Sequence, residues 1–287
     1  MGIRAGFIGL GNIGLPMAKR LVAGRLETTV HDVVADRMRE LEAAGAHPAR
    51  TPRELAAASD VIGICVRDDA DVRDVVLSAD GALAGAAAGS VIAIHSTVLP
   101  RTALEVAEAA ASRGVGVVDA CITGGAAGAA AGTLTIMVGG DAAHVERAAA
   151  FFACFARKVV HTGPLGTGCK VKLCNNLMTY LAWIAAYESM LLARAAGLPQ
   201  ETLEEVAGSN GNLSEPMRAF LALHKAPDAA RRSDGFQATM RGFVEIAEKD
   251  LAATLALARE CGVSLPGTAL ASQIMARVYA LEDAGRR

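Results

Sequence analysis

The run Gly9-Leu10-Gly11-Asn12-Ile13-Gly14 has a spacing that binds phosphate with main chain rather than with side chains. In such a turn the first glycine permits a tight bend and the second lets the backbone approach a pyrophosphate. The third lets the following helix close on the preceding strand. The start of that helix offers unpaired N–H groups and the positive end of its dipole. The spacing alone is common. Here an apolar run, 3–10, precedes it, a helical pattern follows it, and Asp32 stands 18 residues beyond Gly14, near the expected end of the next strand. A carboxylate at that place accepts hydrogen bonds from the ribose hydroxyls of NAD and repels the extra phosphate of NADP. Arg37 and Arg39 lie close enough to keep NADP possible. The turn and Asp32 are therefore predicted to bind a dinucleotide, NAD in preference.

Such a turn needs a strand before it and a helix behind it, and the first half of the chain alternates these elements. Segments 3–10, 28–31, 61–66, 91–94, 115–119 and 133–138 read as strands, and 15–23, 35–44 and 105–112 as helices. The alternation predicts a mostly parallel sheet with helices on both faces. The cluster Thr162-Gly163-Pro164-Leu165-Gly166-Thr167-Gly168 breaks the pattern. Beyond it every segment reads helical: 169–196, 201–207, 215–224, 235–261 and 268–281. Residues 173–187 carry no charge, which predicts a helix buried all round. The expected fold class is α/β: an N-terminal Rossmann domain with a doubly wound parallel sheet over 1–164, then an all-helical C-terminal domain for substrate binding and oligomerisation over 165–287. A long interdomain helix joins them.

Composition agrees with that plan. A chain of 287 residues suggests two domains at about 150 residues each. Hydrophobic residues are 52% but aromatic ones only 4%, so the core is expected to be aliphatic. With 28 Lys+Arg against 30 Asp+Glu the charge is nearly balanced, which argues against nucleic acid or an anionic membrane as partner. The cysteines at 65, 121, 154, 169, 174 and 261 show no metal-ligand spacing, so no metal is expected and the thiols read as reduced, in a cytoplasmic protein. No leader pattern opens the chain, and the uncharged run 120–140 is broken by glycines rather than built as a membrane helix.

The fingerprint continues through Gly14-Leu15-Pro16-Met17-Ala18, and two later motifs accompany it. One is Asp119-Ala120-Cys121-Ile122-Thr123-Gly124-Gly125, running on through Gly128, Gly132-Thr133-Leu134 and Met137-Val138-Gly139-Gly140. The other is Gly166-Thr167-Gly168-Cys169-Lys170-Val171-Lys172-Leu173-Cys174-Asn175-Asn176, with a Lys249-Asp250-Leu251 triplet further on. Together, over nearly the whole chain, these motifs resemble the β-hydroxyacid dehydrogenase family, which includes 3-hydroxyisobutyrate dehydrogenase and tartronate semialdehyde reductase. The resemblance implies that Lys172 is the catalytic acid–base group and Asn176 its partner. It implies that Thr123, Gly124 and Gly125 hold the substrate carboxylate, and that Val66, Arg67, Thr97 and Lys249 join the cofactor site. Cys121 stands where the family usually has Pro, Thr123 where it usually has Ser, and Arg67 where Pro is common. The added methyl of Thr123 bears on substrate preference.

Residue chemistry supports the Lys172 assignment. Positions 172 and 176 are four apart and share one helix face. A Lys and an amide on an otherwise apolar helix are costly unless they serve something. Lys170 points to another face and reads as ordinary surface; Asn175 lies near Asn176, so the roles of the two Asn are not separated. His95, beside Ser96-Thr97, has no visible orienting partner and reads as structural. Arg218, Arg231 and Arg232 are candidates to meet a carboxylate, with solvated surface charge the blander reading.

The expected function is reversible hydride transfer between NAD and a short β-hydroxy acid, with a hydroxy acid or aldehyde acid as partner in a homodimer or homotetramer. The nearest rival is an NADPH-dependent reductase of tartronate or succinic semialdehyde. A rival of another class is a dinucleotide-binding regulator without catalysis, which would not require Lys172 and Asn176 together.

Overall fold

The computed structural model describes residues 2–283 and divides into two compact units, 1–172 and 173–287. Residues 284–287 lie outside the described residues.

The first unit runs β1 (Arg4–Ile8), α1 (Gly14–Ala23), β2 (Glu27–His31), α2 (Ala35–Glu42), β3 (His47–Pro48), α3 (Pro52–Ala57), β4 (Val61–Ile64), α4 (Asp69–Leu77), α5 (Ala82–Gly85), β5 (Val91–Ile94) and α6 (Pro100–Ala111). It continues with β6 (Gly116–Thr123), α7 (Gly125–Ala131), β7 (Leu134–Gly139), α8 (Ala142–Arg147), α9 (Ala149–Ala153) and β8 (Ala156–Gly163). The strands form one sheet in the order β3-β2-β1-β4-β5-β6-β7-β8. All neighbours pair in parallel except β6 and β7. The short α7 connection returns the chain at the end where β6 stops, so β7 has to run the other way.

Side chains alternate across the strands and feed two cores. Phe7, Ala93 and Val118 enter one, with Met17 and Leu21 of α1 and Phe151 and Phe152 of α9. Ile8, Ile92, Ile94 and Val117 enter the other, with Leu55, Val72 and Val106 from α3, α4 and α6. The continuous apolar strands are those of a sheet buried on both faces. Strand order reverses at β1, which lies between β2 and β4, and the crevice beyond the carboxyl ends of strands at such a point is where ligands bind in this architecture. Ile8, Ile64, Ile94 and Asp119 stand in register across four adjacent strands. The loops carrying the predicted site residues leave the sheet at or beyond that line.

α10 (Thr167–Ala195) begins in the first unit. In the second follow α11 (Gln200–Ser209), α12 (Glu215–Leu223), α13 (Asp228–Arg231), α14 (Asp234–Glu260) and α15 (Pro266–Val278), around a core that includes Tyr180, Met190, Phe220, Val244, Leu251 and Met275. The expectation of a helix buried all round is corrected here. Cys169, Leu173, Asn176, Tyr180, Ala186, Met190 and Ala193 form a single buried stripe, while Met178 and Leu192 are 67% and 72% exposed. Absence of charge marks a helix that can be covered; it does not say that the helices of its own chain cover every side. No described helix is long and apolar enough to cross a membrane.

Candidate active site

Each glycine of the turn after β1 has a separate job in the structure. Gly9 adopts φ +91, and a Cβ there would sit 2.2 Å from the Cys65 carbonyl oxygen. At Gly14 a Cβ would lie 1.9 Å from the Gly9 carbonyl oxygen, so only glycine lets α1 close on the loop. Gly11 faces open space, with nothing within 4 Å of the Cβ position. The N-cap of α1 is Ile13, whose side chain caps nothing. The first turn of α1 therefore has donors that no side-chain cap satisfies, beside a main-chain surface free of side chain, which fits a pyrophosphate. Leu10 points into the core and Asn12 is exposed.

Asp32 follows β2 and is 7% exposed. Its Oδ2 accepts a hydrogen bond from the Leu10 N–H at 2.6 Å and its Oδ1 from the Val34 N–H at 2.7 Å. The carboxylate thus fastens the glycine turn to the end of β2, a duty that sequence reasoning did not foresee. A ribose hydroxyl reaches these oxygens only in competition with the Arg37 guanidinium, whose Nη1 donates to both of them. Arg37 lies 3.3 Å from the same carboxylate, and Val33, the next residue, is apolar and 92% exposed.

Two neighbouring loops are tied to each other. Val66, beyond β4, donates its N–H to Ser96 Oγ at 2.8 Å and accepts the Ser96 hydroxyl on its carbonyl at 2.9 Å. Arg67 turns to Asp71, 2.7 Å away, at the start of α4. Thr97 is half-buried beyond β5. His95 is packed against Phe7, Phe151, Phe152 and Phe155. Its Nδ1 lies 2.7 Å from the Ala120 carbonyl oxygen, and its Nε2 has no partner. Burial pushes this imidazole down to about 4, so it is neutral and packed, unsuited to act as a base.

At the end of β6, Thr123 is half-buried and leads into Gly124 and Gly125, which adopt φ +124 and +63 and are exposed. Two successive left-handed glycines turn the chain sharply enough to present main-chain N–H groups to solvent. Four residues earlier, buried Asp119 accepts hydrogen bonds from the Gly166 N–H at 2.8 Å and the Cys169 N–H at 2.7 Å. Burial raises its carboxyl above the usual range, and those two N–H groups pull it part of the way back. A Cβ on Gly168 would meet the carbonyl oxygens of Asp119 and Met137 at 2.5 Å. The first turn of α10 is thus seated on β6 and β7 by a carboxylate and a close approach of backbone. Lys172, half-buried, follows in the second turn of α10, while Lys170 is exposed.

One turn beyond Lys172, buried Asn176 donates from Nδ2 to Asp250 Oδ2 at 2.6 Å. The Tyr180 hydroxyl donates to the same oxygen at 3.1 Å, and Lys249 Nζ to Oδ1 at 2.8 Å. Asn175 lies off this cluster, half-buried, reaching the Asn176 carbonyl only at 3.4 Å. Asp119, Tyr180 and Asp250 carry no role in the sequence reading. Asp119 had a signal, a lone charge inside the apolar strand segment 116–123; Asp250, beside Glu248 and Lys249, had none beyond its place in the Lys249-Asp250-Leu251 triplet. Tyr180 had none, since a tyrosine in a buried helix is ordinary. Of the three arginines, Arg231 pairs with Asp228, Arg232 with Glu282 at 3.3 Å, and Arg218 lies 3.8 Å from Glu215. Among the described residues no group of three His, Cys, Asp or Glu is placed to hold a metal ion.

Comparison with known proteins agrees with both units. Residues 4–163 match the family model of the NAD binding domain of 6-phosphogluconate dehydrogenase, and 166–286 that of the NAD-binding region of NADP-dependent 3-hydroxyisobutyrate dehydrogenase. The chain belongs to the β-hydroxyacid dehydrogenase family. Among its relatives, the NAD-dependent L-serine dehydrogenase of Pseudomonas aeruginosa is 36% identical over 92% of this chain and 88% of its own. The 2-(hydroxymethyl)glutarate dehydrogenase of Eubacterium barkeri is 34% identical over 95% and 88%. A solved structure of 3-hydroxyisobutyrate dehydrogenase from Mycobacterium tuberculosis with L-serine is 29% identical, covers 98% of this chain and 94% of its own, and superposes with a TM-score of 0.81. As a β-hydroxyacid dehydrogenase, the chain is an NAD(P)-dependent oxidoreductase.

Proposed function

We propose that this dehydrogenase moves a hydride reversibly between NAD and the terminal carbinol carbon of a 2-substituted 3-hydroxypropionate. The acids named for its relatives, L-serine, 2-(hydroxymethyl)glutarate and 3-hydroxyisobutyrate, share the skeleton HOCH2–CH(R)–COO⁻ and differ only in R. The reading is supported above all by one face of α10, where Lys172 and Asn176 lie a turn apart and a buried carboxylate holds the amide.

The nicotinamide, when bound, takes up or returns the hydride. Neutral Lys172 accepts the hydroxyl proton as the alcohol becomes an aldehyde; protonated Lys172 returns it in the reverse direction. Asn176 orients the carbon that reacts. Thr123 and the main-chain N–H groups of Gly124 and Gly125 hold the carboxylate, which fixes the distance from acid to carbinol. The glycine turn 9–14 cradles the pyrophosphate, with Asp32 on the ribose and Val66, Arg67, Thr97 and Lys249 around the cofactor. Asp32 and the apolar Val33 beside it favour NAD, because neither gives a 2′-phosphate a partner and the carboxylate repels it. Exposed Met178, Leu192 and Ile246 offer apolar surface for a homodimer or homotetramer, which light scattering on the purified protein measures.

Initial rates with NAD and with NADP, over a panel of 3-hydroxy acids and their aldehydes, test the proposal. Turnover of at least one acid with higher kcat/KM for NAD is expected, and its methyl ester should lose most of that kcat/KM. Preference for NADP with an aldehyde acid would favour the semialdehyde-reductase reading. No turnover of any acid or aldehyde would overturn the catalytic reading in favour of a dinucleotide-binding regulator.

A further inference from the structure

Asp250 is 1% exposed and takes three donors: the Asn176 amide and the Tyr180 hydroxyl on Oδ2, and the Lys249 ammonium on Oδ1. An ionised carboxylate only accepts hydrogen bonds. The oxygen and nitrogen of an Asn amide are hard to tell apart by shape, but here chemistry decides between them. The NH2 side of Asn176 has to face Asp250, and its carbonyl Oδ1 is turned away. The contact left on that carbonyl is the long one from Asn175, at 3.4 Å. Asn176 therefore presents an acceptor one turn from Lys172. It suits a donor, the class to which a substrate hydroxyl and a protonated lysine both belong.

The orientation of the amide is only as firm as the carboxylate that sets it. Lys249 sits next to Asp250 on α14 and reaches it through a flexible, partly exposed chain. Tyr180 differs. It is buried, its ring meets Trp183 edge-on with centroids 5.6 Å apart, and Trp183 packs in turn on Phe220 and Tyr279. Its hydroxyl arrives from α10, the helix that carries Asn176, one turn further along. Burial and the Asp250 charge push the phenol above its ordinary range, so the hydroxyl remains a donor throughout the working pH range.

We infer that Tyr180 is a positioning residue: through Asp250 it locks the Asn176 amide with its carbonyl toward the reaction. This inference rests on the proposed role of Asn176 and goes beyond it. Residues 172, 176 and 180 then form one functional stripe, of which the last touches neither substrate nor cofactor.

The test is a double-mutant cycle on kcat, with cofactor KM and melting temperature measured alongside. Tyr180→Phe keeps the ring in its aromatic surroundings and removes only the donor. It is expected to lower kcat about three- to tenfold, the size of one hydrogen bond, with KM for the cofactor unchanged and the shape of the pH profile preserved. In an Asn176→Ala background the same substitution should cost nothing further, because the group it orients is gone. Asp250→Asn, which can hold the Asn176 amide either way round, should cost more than Tyr180→Phe and likewise lose its effect on that background. If Tyr180→Phe runs at the wild-type rate, or multiplies in full with Asn176→Ala, the inference is wrong while the proposed function stands. If Asn176→Ala itself runs at the wild-type rate, the role of Asn176 fails and the inference falls with it. A Tyr180→Phe that lowers the melting temperature without changing kcat would reduce Tyr180 to a packing residue.

Discussion

The glycine turn after β1 and the face of α10 serve one proposed reaction with opposite materials. The turn works through what is missing: no Cβ at Gly9, Gly11 or Gly14, and no side-chain cap on α1. Its parts are neighbours in sequence, except for Asp32, which pins Leu10 from the next strand. The α10 face works through side chains, and the partner that holds Asn176 lies 74 residues away. A main-chain site is specified by local conformation, so a short motif suffices to describe it. A side-chain site needs each group oriented by others, and those others come from wherever the fold brings them.

Lys172 is where that contrast breaks most sharply. Lys172→Ala should lose roughly 10²-fold or more in kcat, the scale of a positioned acid–base group, with NADH affinity little changed. Lys172→Arg should not rescue, since arginine does not give up its proton in this range. Oxidation should rise with pH and reduction should fade, because only the first needs the neutral amine. Lys170→Ala, on the exposed side, should behave as wild type; an inactive Lys170→Ala with an active Lys172→Ala would place the catalytic face elsewhere.

The glycines separate fold from binding within one turn. Gly14→Ala forces a Cβ against the Gly9 carbonyl and should cost about 1–3 kcal/mol of stability, read as a lower melting temperature. Gly11→Ala, with open space around it, should stay within about 0.5 kcal/mol of wild type. It should nevertheless weaken NADH binding about tenfold, the methyl now standing where the pyrophosphate approaches. Equal loss of stability in both would erase the distinction.

Asp32 joins the two kinds of site, a side chain holding main chain. Asp32→Ser should raise kcat/KM for NADP and lower that for NAD about tenfold, as ribose contacts and the tie to Leu10 go together. Asp32→Asn, similar in shape but with one oxygen replaced by a donor, should lose part of the loop tie and relax the discrimination. A wild-type enzyme that prefers NADP would show that this carboxylate serves the loop alone.

A last effect concerns His95, the residue after β5. Its folded form titrates near 4 and its unfolded form near 6.5, so between those values the unfolded chain binds more protons. Stability should therefore fall as pH drops through that window, by at most about 1.4 kcal/mol per pH unit, and be flat above it. His95→Phe should flatten the acid limb in a denaturation series; an unchanged limb would mean another group titrates there.

Much of this was legible beforehand, for a physical reason. The buried strands 61–66 and 91–94 and the helices 15–23 and 235–261 follow from runs and periodicities of apolar residues, and the structure has β4, β5, α1 and α14 there. Strands β3 and β8 did not announce themselves: β3 has two residues, and most of β8 is exposed at the sheet edge, so neither carries the apolar run of a central strand. Sequence by itself determined the glycine turn, the change to helices alone after β8 and the alternation that becomes a doubly wound sheet, because each depends on backbone conformation and on burial repeating over short distances. Tertiary structure alone decided that Asp32 fastens the turn, that Asp119 seats the first turn of α10 on β6, and that Asp250 accepts from both Asn176 and Tyr180. Those are hydrogen bonds between groups remote along the chain, and their direction and partners exist only once packing has removed the water that would otherwise take their place.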